Sequence, residues 1–118
     1  MGSLRSLASL AALIGLVVAL APPGAIGDDR PKSQVKIQTL KLTGASGVVR
    51  SKDDRCERGR RIHFFRLEDF ISVKVQRTRT DSNGRWRIAR DLDPGGYFAK
   101  VERAPGCRYD NSRIERLR

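Results

Sequence analysis

From residue 34 onward, apolar and polar residues alternate in short runs, and turn residues interrupt the runs at close intervals. Val35, Ile37 and Thr39 alternate with Lys36 and Gln38, which predicts a first strand over 34–42. The phase slips at Leu40 and Leu42, where a bulge or bend would absorb it. The segment 43–47 predicts a turn or kink, and 48–51 a short strand. A charged loop, 52–59, leads into a strand over 60–67 with Ile62 and Phe64 inward and His63 and Phe65 on the other face. Glu68-Asp69 then turns the chain into a strand over 70–80, where Ile71, Val73 and Val75 alternate with Ser72, Lys74 and Gln76.

Asp81-Ser82-Asn83-Gly84 is a turn by its chemistry, because Asp and Asn bond their own backbone and Gly adopts positive φ at little steric cost. Trp86 and Ile88 alternate with arginines beyond it, so the two flanking strands read as a β-hairpin. A second turn, Asp93-Pro94-Gly95-Gly96, follows, and Tyr97, Ala99 and Val101 then share one face. A loop over 103–110 and a weakly alternating last strand over 112–117, with Ile114 inward, close the chain. The expected class is all-β. Its apolar face needs a second sheet to cover it, so a sandwich is favoured and a small barrel of the oligonucleotide-binding type is the alternative.

The first residues follow a different pattern. Arg5 precedes an apolar run over 7–21, Pro22-Pro23-Gly24 breaks it, and small residues follow up to Gly27. This is the organisation of a secretory signal peptide, cut after Gly27. The run is short of the roughly 20 residues that a membrane-spanning helix requires. Residues 28–33 read as a polar leader and 34–118 as one domain. The expected location is outside the cell or on its surface, and the short signal and arginine-rich composition suggest a bacterial source. In such a compartment the two cysteines, Cys56 and Cys107, are expected to form a disulfide. Two cysteines and one widely separated histidine do not make a zinc site, and no other cofactor is implied.

Charge adds a possible ligand class. The chain carries a net charge of +11, and loss of residues 1–27 removes one basic residue and no acidic one, leaving +10. Arginines outnumber lysines 18 to 6. Arg58, Arg60 and Arg61 cluster, and in the expected hairpin Arg77 and Arg79 would face Arg85 and Arg87 as a cationic stripe. Arginine grips phosphate and carboxylate with two parallel hydrogen bonds, so such a stripe would suit polyanions. A genome rich in G and C produces the same arginine excess without selection for binding. Phe65, Phe98 and Tyr109 are the aromatic residues expected to be exposed enough to stack on a base or a sugar. Trp86, Tyr97 and Phe64 are expected in the core.

Several residues resemble a known family. Thr80-Asp81, Gly84, Trp86, Leu92, Pro94-Gly95, Tyr97 and Val101 follow the pattern T-D-x-x-G-x-W, then L-x-P-G-x-Y-x-x-x-V, and Gly47-Val48-Val49-Arg50-Ser51, Cys56 and Gly59-Arg60-Arg61-Ile62 precede them. This resembles the carboxypeptidase regulatory-like domain in its secreted bacterial form, over about residues 35–114. The resemblance implies a seven-stranded Greek-key β-sandwich, transthyretin-like or immunoglobulin-like, without catalytic residues.

The residues themselves offer little catalytic chemistry. His63 is the single histidine, expected half-exposed, and no G-x-S-x-G elbow accompanies it. Asp53, Asp54 and Glu57, and then Glu68 and Asp69, lie among arginines and read as solvated, partly ion-paired loops. Asp81-x-Asn83-Gly84 lacks the further acidic ligands of a calcium loop. A secreted hydrolase is therefore the weakest reading. A non-enzymatic interaction or structural module is the strongest, with anionic envelope polymers or extracellular proteins as partners. Mass spectrometry of the exported protein should find Asp28 at the mature N-terminus.

Overall fold

The structure is a computed structural model that describes residues 30–118. The expected signal peptide and the start of the leader lie outside the described residues. Eight strands form two antiparallel sheets that pack as a sandwich. β1 (Ser33–Lys41), β2 (Gly44–Ser51) and β5 (Arg85–Ile88) make a three-stranded sheet in the order β1-β2-β5. β3 (Arg61–Glu68), β4 (Ile71–Arg79), β6 (Gly95–Val101), β7 (Asp110–Asn111) and β8 (Glu115–Leu117) make the other, in the order β4-β3-β6, with β7 and β8 both on the far side of β6. One 3-10 turn, Asp54–Cys56, lies in the charged loop.

The alternation puts one face of each sheet inside. Val35, Val49, Trp86 and Ile88 come from the smaller sheet, and Ile62, Phe64, Tyr97, Ala99 and Val101 from the larger. Phe64 stacks on Tyr97 with ring centroids 5.2 Å apart and meets Trp86 at 6.0 Å. The Tyr97 hydroxyl donates to the Asp93 carbonyl at 2.6 Å, which closes the turn before β6. A Cβ at Gly47 would collide with the Trp86 indole, so the glycine opposite Trp86 in the ladder makes room for it.

The ladders differ from the sequence reading at several points. The strands flanking Asp81–Gly84 do not form a hairpin. β4 pairs with β3, whereas β5 crosses to pair with β2. The crossing has a local cause. The Asp81 carboxylate accepts from the backbone N–H groups of Asn83 and Arg85, at 2.8 and 2.9 Å. Gly84 takes φ 77°, and its carbonyl accepts from the Val49 N–H at 2.7 Å, docking the turn on β2. β2 starts at Gly44, so 43–47 is not one turn. The register slip in β1 falls between Ile37 and Thr39. The last strand is interrupted: β7 and β8 are separate, Leu117 is buried and Ile114 is exposed. Ile71 and Val73 are exposed too, because β4 is an edge strand whose first half is not covered.

Two interactions hold the loops at one end. Cys56 and Cys107 are disulfide-bonded, with Cα atoms 5.5 Å apart. Beside them Arg60 is buried at 2% exposure. Its Nη1 donates to the Ser33 hydroxyl at 2.8 Å and the Cys56 carbonyl at 2.6 Å, and its Nη2 to the carbonyls of Glu102 and Arg108 at 2.6 and 2.9 Å. Its backbone exchanges bonds with Thr80, N–H to hydroxyl at 2.7 Å and carbonyl from N–H at 2.9 Å. Burial pushes the guanidinium's pKa down from its usual value; three carbonyls and a hydroxyl, in place of a carboxylate, engage its two Nη groups, while Nε is buried without a hydrogen-bond partner among the described residues.

Arg60→Met should lower unfolding free energy by ~3 kcal/mol or more, because four acceptors lose a charged donor at once. Opening the disulfide with Cys56→Ser and Cys107→Ser should cost about 4 kcal/mol in the loop-entropy model. Both changes release the Cys56 loop, so the combined variant should lose less than the sum in urea titrations.

Candidate anion-binding surfaces

The predicted arginine stripe is replaced by a different arrangement. Since β4 and β5 belong to different sheets, Arg77 and Arg79 do not pair with Arg85 and Arg87. Arg79, Arg85 and Arg87 nevertheless line one cleft of about 670 Å³ where the edges of the two sheets meet, and Arg50 joins them. Asp81 is the single acid on its wall. Arg50 is held by the Asn83 carbonyl at 2.9 Å, with Glu57 at 3.9 Å, and Arg79 by the Gly59 carbonyl at 2.9 Å. The guanidinium groups of Arg85 and Arg87 are exposed and have no hydrogen-bond partner among the described residues. Two fixed and two free guanidinium groups thus face the same space, which favours an anion between them.

Arg77 lies elsewhere, opposite His63 on the larger sheet. Of the cluster 58–61, Arg58 is exposed in the loop, Arg61 bridges to Glu102 at 3.5 Å, and Arg60 is buried. Arg60 therefore contributes to the frame and is inaccessible to a ligand. Arg61 sits directly opposite Arg79 in the ladder, an arrangement that like-charge repulsion disfavours.

His63 is not half-exposed as expected. At 7% exposure it is buried on the outer face of the larger sheet, with Nε2 against the Glu102 carboxylate. That bond to His63, with Arg61 nearby, holds the Glu102 carboxyl below its usual range. A histidine and an acid are two members of a nucleophilic triad, but His63 Nδ1 is buried without a hydrogen-bond partner among the described residues, so no nucleophile is positioned on it. The charged loop is self-paired as expected. Arg55 brings the Asp53 carboxyl down to about 2, and Glu57 accepts from the Ser51 N–H at 3.0 Å. The Asp81 carboxyl is lowered by the N–H groups of Arg85 and Asn83, the bonding of a structural turn. Among the described residues no group of three or more His, Cys, Asp or Glu could hold a metal ion.

A larger cleft, about 1010 Å³, runs between β1 and the β7–β8 region. Lys32, Lys36, Arg50, Lys52 and Arg113 on its wall face Glu57, Asp110 and Glu115, so its cations are more fully offset by acids than those of the smaller cleft. Arg50 does not stand out in the sequence because the carbonyl that holds it, Asn83, lies 33 positions further along the chain, in the turn before β5. The one available signal was its place at the end of Val48-Val49-Arg50, where period two turns it outward.

No protein-family model matches this chain, and no curated protein is significantly similar to it. Among the described residues no helix is long and apolar enough to cross a membrane.

Asp53, Asp81 and Glu102 all have folded-state pKa values below their unfolded ones. Their contribution is present above about pH 4–5 and is lost as pH falls through the lower folded values. The melting temperature should therefore hold between about pH 5 and 7 and drop below about pH 4. Asp81→Asn with Glu102→Gln should flatten that acid limb in a pH series of thermal melts.

Proposed function

We propose that this chain is an exported, non-enzymatic interaction module, folded as a seven-stranded Greek-key sandwich of the carboxypeptidase regulatory-like type. Support for the fold comes from the two-layer packing, from Trp86 and Tyr97 in the core, and from β7 and β8 lying on the same side of β6, which reduces eight strands to seven when they are counted as one interrupted strand. The disulfide agrees with an oxidising compartment. The observation that carries the interaction reading is the cleft where Arg50, Arg79, Arg85 and Arg87 converge. Four guanidinium groups, with Asp81 on the wall and Glu57 beside Arg50, leave a surplus of positive charge that an anion would offset.

The same cleft favours a more specific reading, in which the ligand is an anionic polymer of the cell envelope or extracellular nucleic acid. Retention of the oxidised protein on wall polymer, DNA and intact cells at low and near-physiological salt tests it. Retention on one polymer at the higher salt is expected, with loss of at least about tenfold in affinity when Arg79, Arg85 and Arg87 are changed to Glu. Binding that disappears with salt, or that ignores the charge reversal, would show that the arginines are solvated surface, and extracellular protein partners would then be the better search.

A further inference from the structure

The outer face of the larger sheet carries a second basic surface with a different composition. The ladder β4-β3-β6 places Phe65 beside Phe98 and His63 beside Lys100, with Arg77 and Lys74 opposite them on β4. The Phe65 and Phe98 rings are stacked, with centroids 5.0 Å apart and planes within 13°. Both rings are half-buried. Tyr109 is 56% exposed, and the Lys100 ammonium lies 5.7 Å from its ring centroid. Glu102, an acid within the field of Lys74, is already engaged by His63 and Arg61. Lys74 and Arg77 are exposed and have no ion-pair partner among the described residues. Residues on one face of a strand recur every ~6.7 Å and strands lie ~4.8 Å apart, so aromatic and cationic groups interleave within a few ångströms over three strands.

We infer that this face, centred on Phe65, Phe98 and Tyr109 and flanked by Lys74, Arg77 and Lys100, binds single-stranded nucleic acid. The inference rests on the anionic-polymer reading above and places the contact on a different surface from the cleft. Charge selects a polyanion, since the unpaired groups on this face are all cations. The rings select among polyanions, because bases offer flat π surfaces to stack on them and to exclude water. A duplex keeps its bases inside, reachable only through its grooves by a helix or ribbon, and an open sheet face supplies neither. An extended single strand can lie across it with phosphates toward Lys74, Arg77 and Lys100.

The test is fluorescence anisotropy of the exported, oxidised protein with a labelled oligothymidylate of about 20 nucleotides, with a duplex of equal length and a uronate polysaccharide as competitors. Single strands should win over both competitors. Tyr109→Leu and Phe98→Leu should each weaken binding by roughly 5-fold or more. Lys74→Ser and Arg77→Ser should each reduce the slope of log affinity against log salt by about 0.7. Lys36→Ser, on the smaller sheet and outside both surfaces, should leave single-strand affinity nearly unchanged. Tyr109 is exposed, so its variant remains informative if Phe98→Leu fails to fold. Equal competition by the duplex or the uronate polymer would overturn the inference. So would affinity that falls with Arg85→Ser and Arg87→Ser yet ignores Tyr109, which would leave the cleft reading standing alone. Absence of binding to every polymer would remove both.

Discussion

The buried guanidinium of Arg60 is the constraint on which the arrangement of loops depends. A charge with 2% exposure needs acceptors arranged around it, and here they come from four places in the chain, the start of β1, the disulfide loop, the end of β6 and the approach to β7, while Thr80, just past β4, holds the Arg60 backbone. None of these segments could shift without leaving a polar group unpaired in the interior. The disulfide ties two of the same loops covalently. The two devices act differently. The disulfide limits the unfolded chain, whereas the guanidinium fixes where the loops sit once folded. A domain of this size has a modest hydrophobic core, so such clamps matter more than they would in a larger one.

That fixed end also sets the placement of the basic cleft. Thr80, bonded to the Arg60 backbone, ends β4, and the Asp81 turn then sends the chain to the other sheet. Had β5 paired with β4, Arg77, Arg79, Arg85 and Arg87 would have formed one flat stripe. Because it pairs with β2, Trp86 enters the core over Gly47, and Arg85 and Arg87 turn outward toward Arg79 and Arg50. The cationic cleft is therefore a consequence of the same crossing that closes the sandwich.

The two outer surfaces divide the charge unevenly. Several acidic residues are consumed within loops or by neighbouring strands, as Asp53 is by Arg55 and Glu102 by His63 and Arg61. The remaining cations, Arg77, Arg85, Arg87 and Lys74 among them, lie on strands whose inward neighbours hold the core. The sheets thus present exposed cations without ion-pair partners among the described residues on regular backbone.

Much of the architecture was legible from local chemistry. Period two placed Ile62, Phe64, Tyr97, Ala99 and Val101 inward and His63 and Phe65 on the opposite face, because side-chain direction in a strand is set residue by residue. The Asp81–Gly84 turn, the second turn at Pro94 and the pairing of the only two cysteines were legible for similar reasons. Which strand lies beside which was not. Alternation looks the same whether β5 joins β4 or β2, and the choice depends on the fit of Trp86 over Gly47 and on the bond from Val49 to Gly84. Burial of a charge was equally hidden, since Arg58, Arg60 and Arg61 read alike until four distant oxygen atoms single out Arg60. The sequence by itself determined the all-β class, the inner faces of β3, β5 and β6 and the surplus of positive charge. Only the tertiary structure decided the sheet partners, and with them which arginines became frame and which remained surface, because pairing and desolvation are properties of segments far apart in the chain.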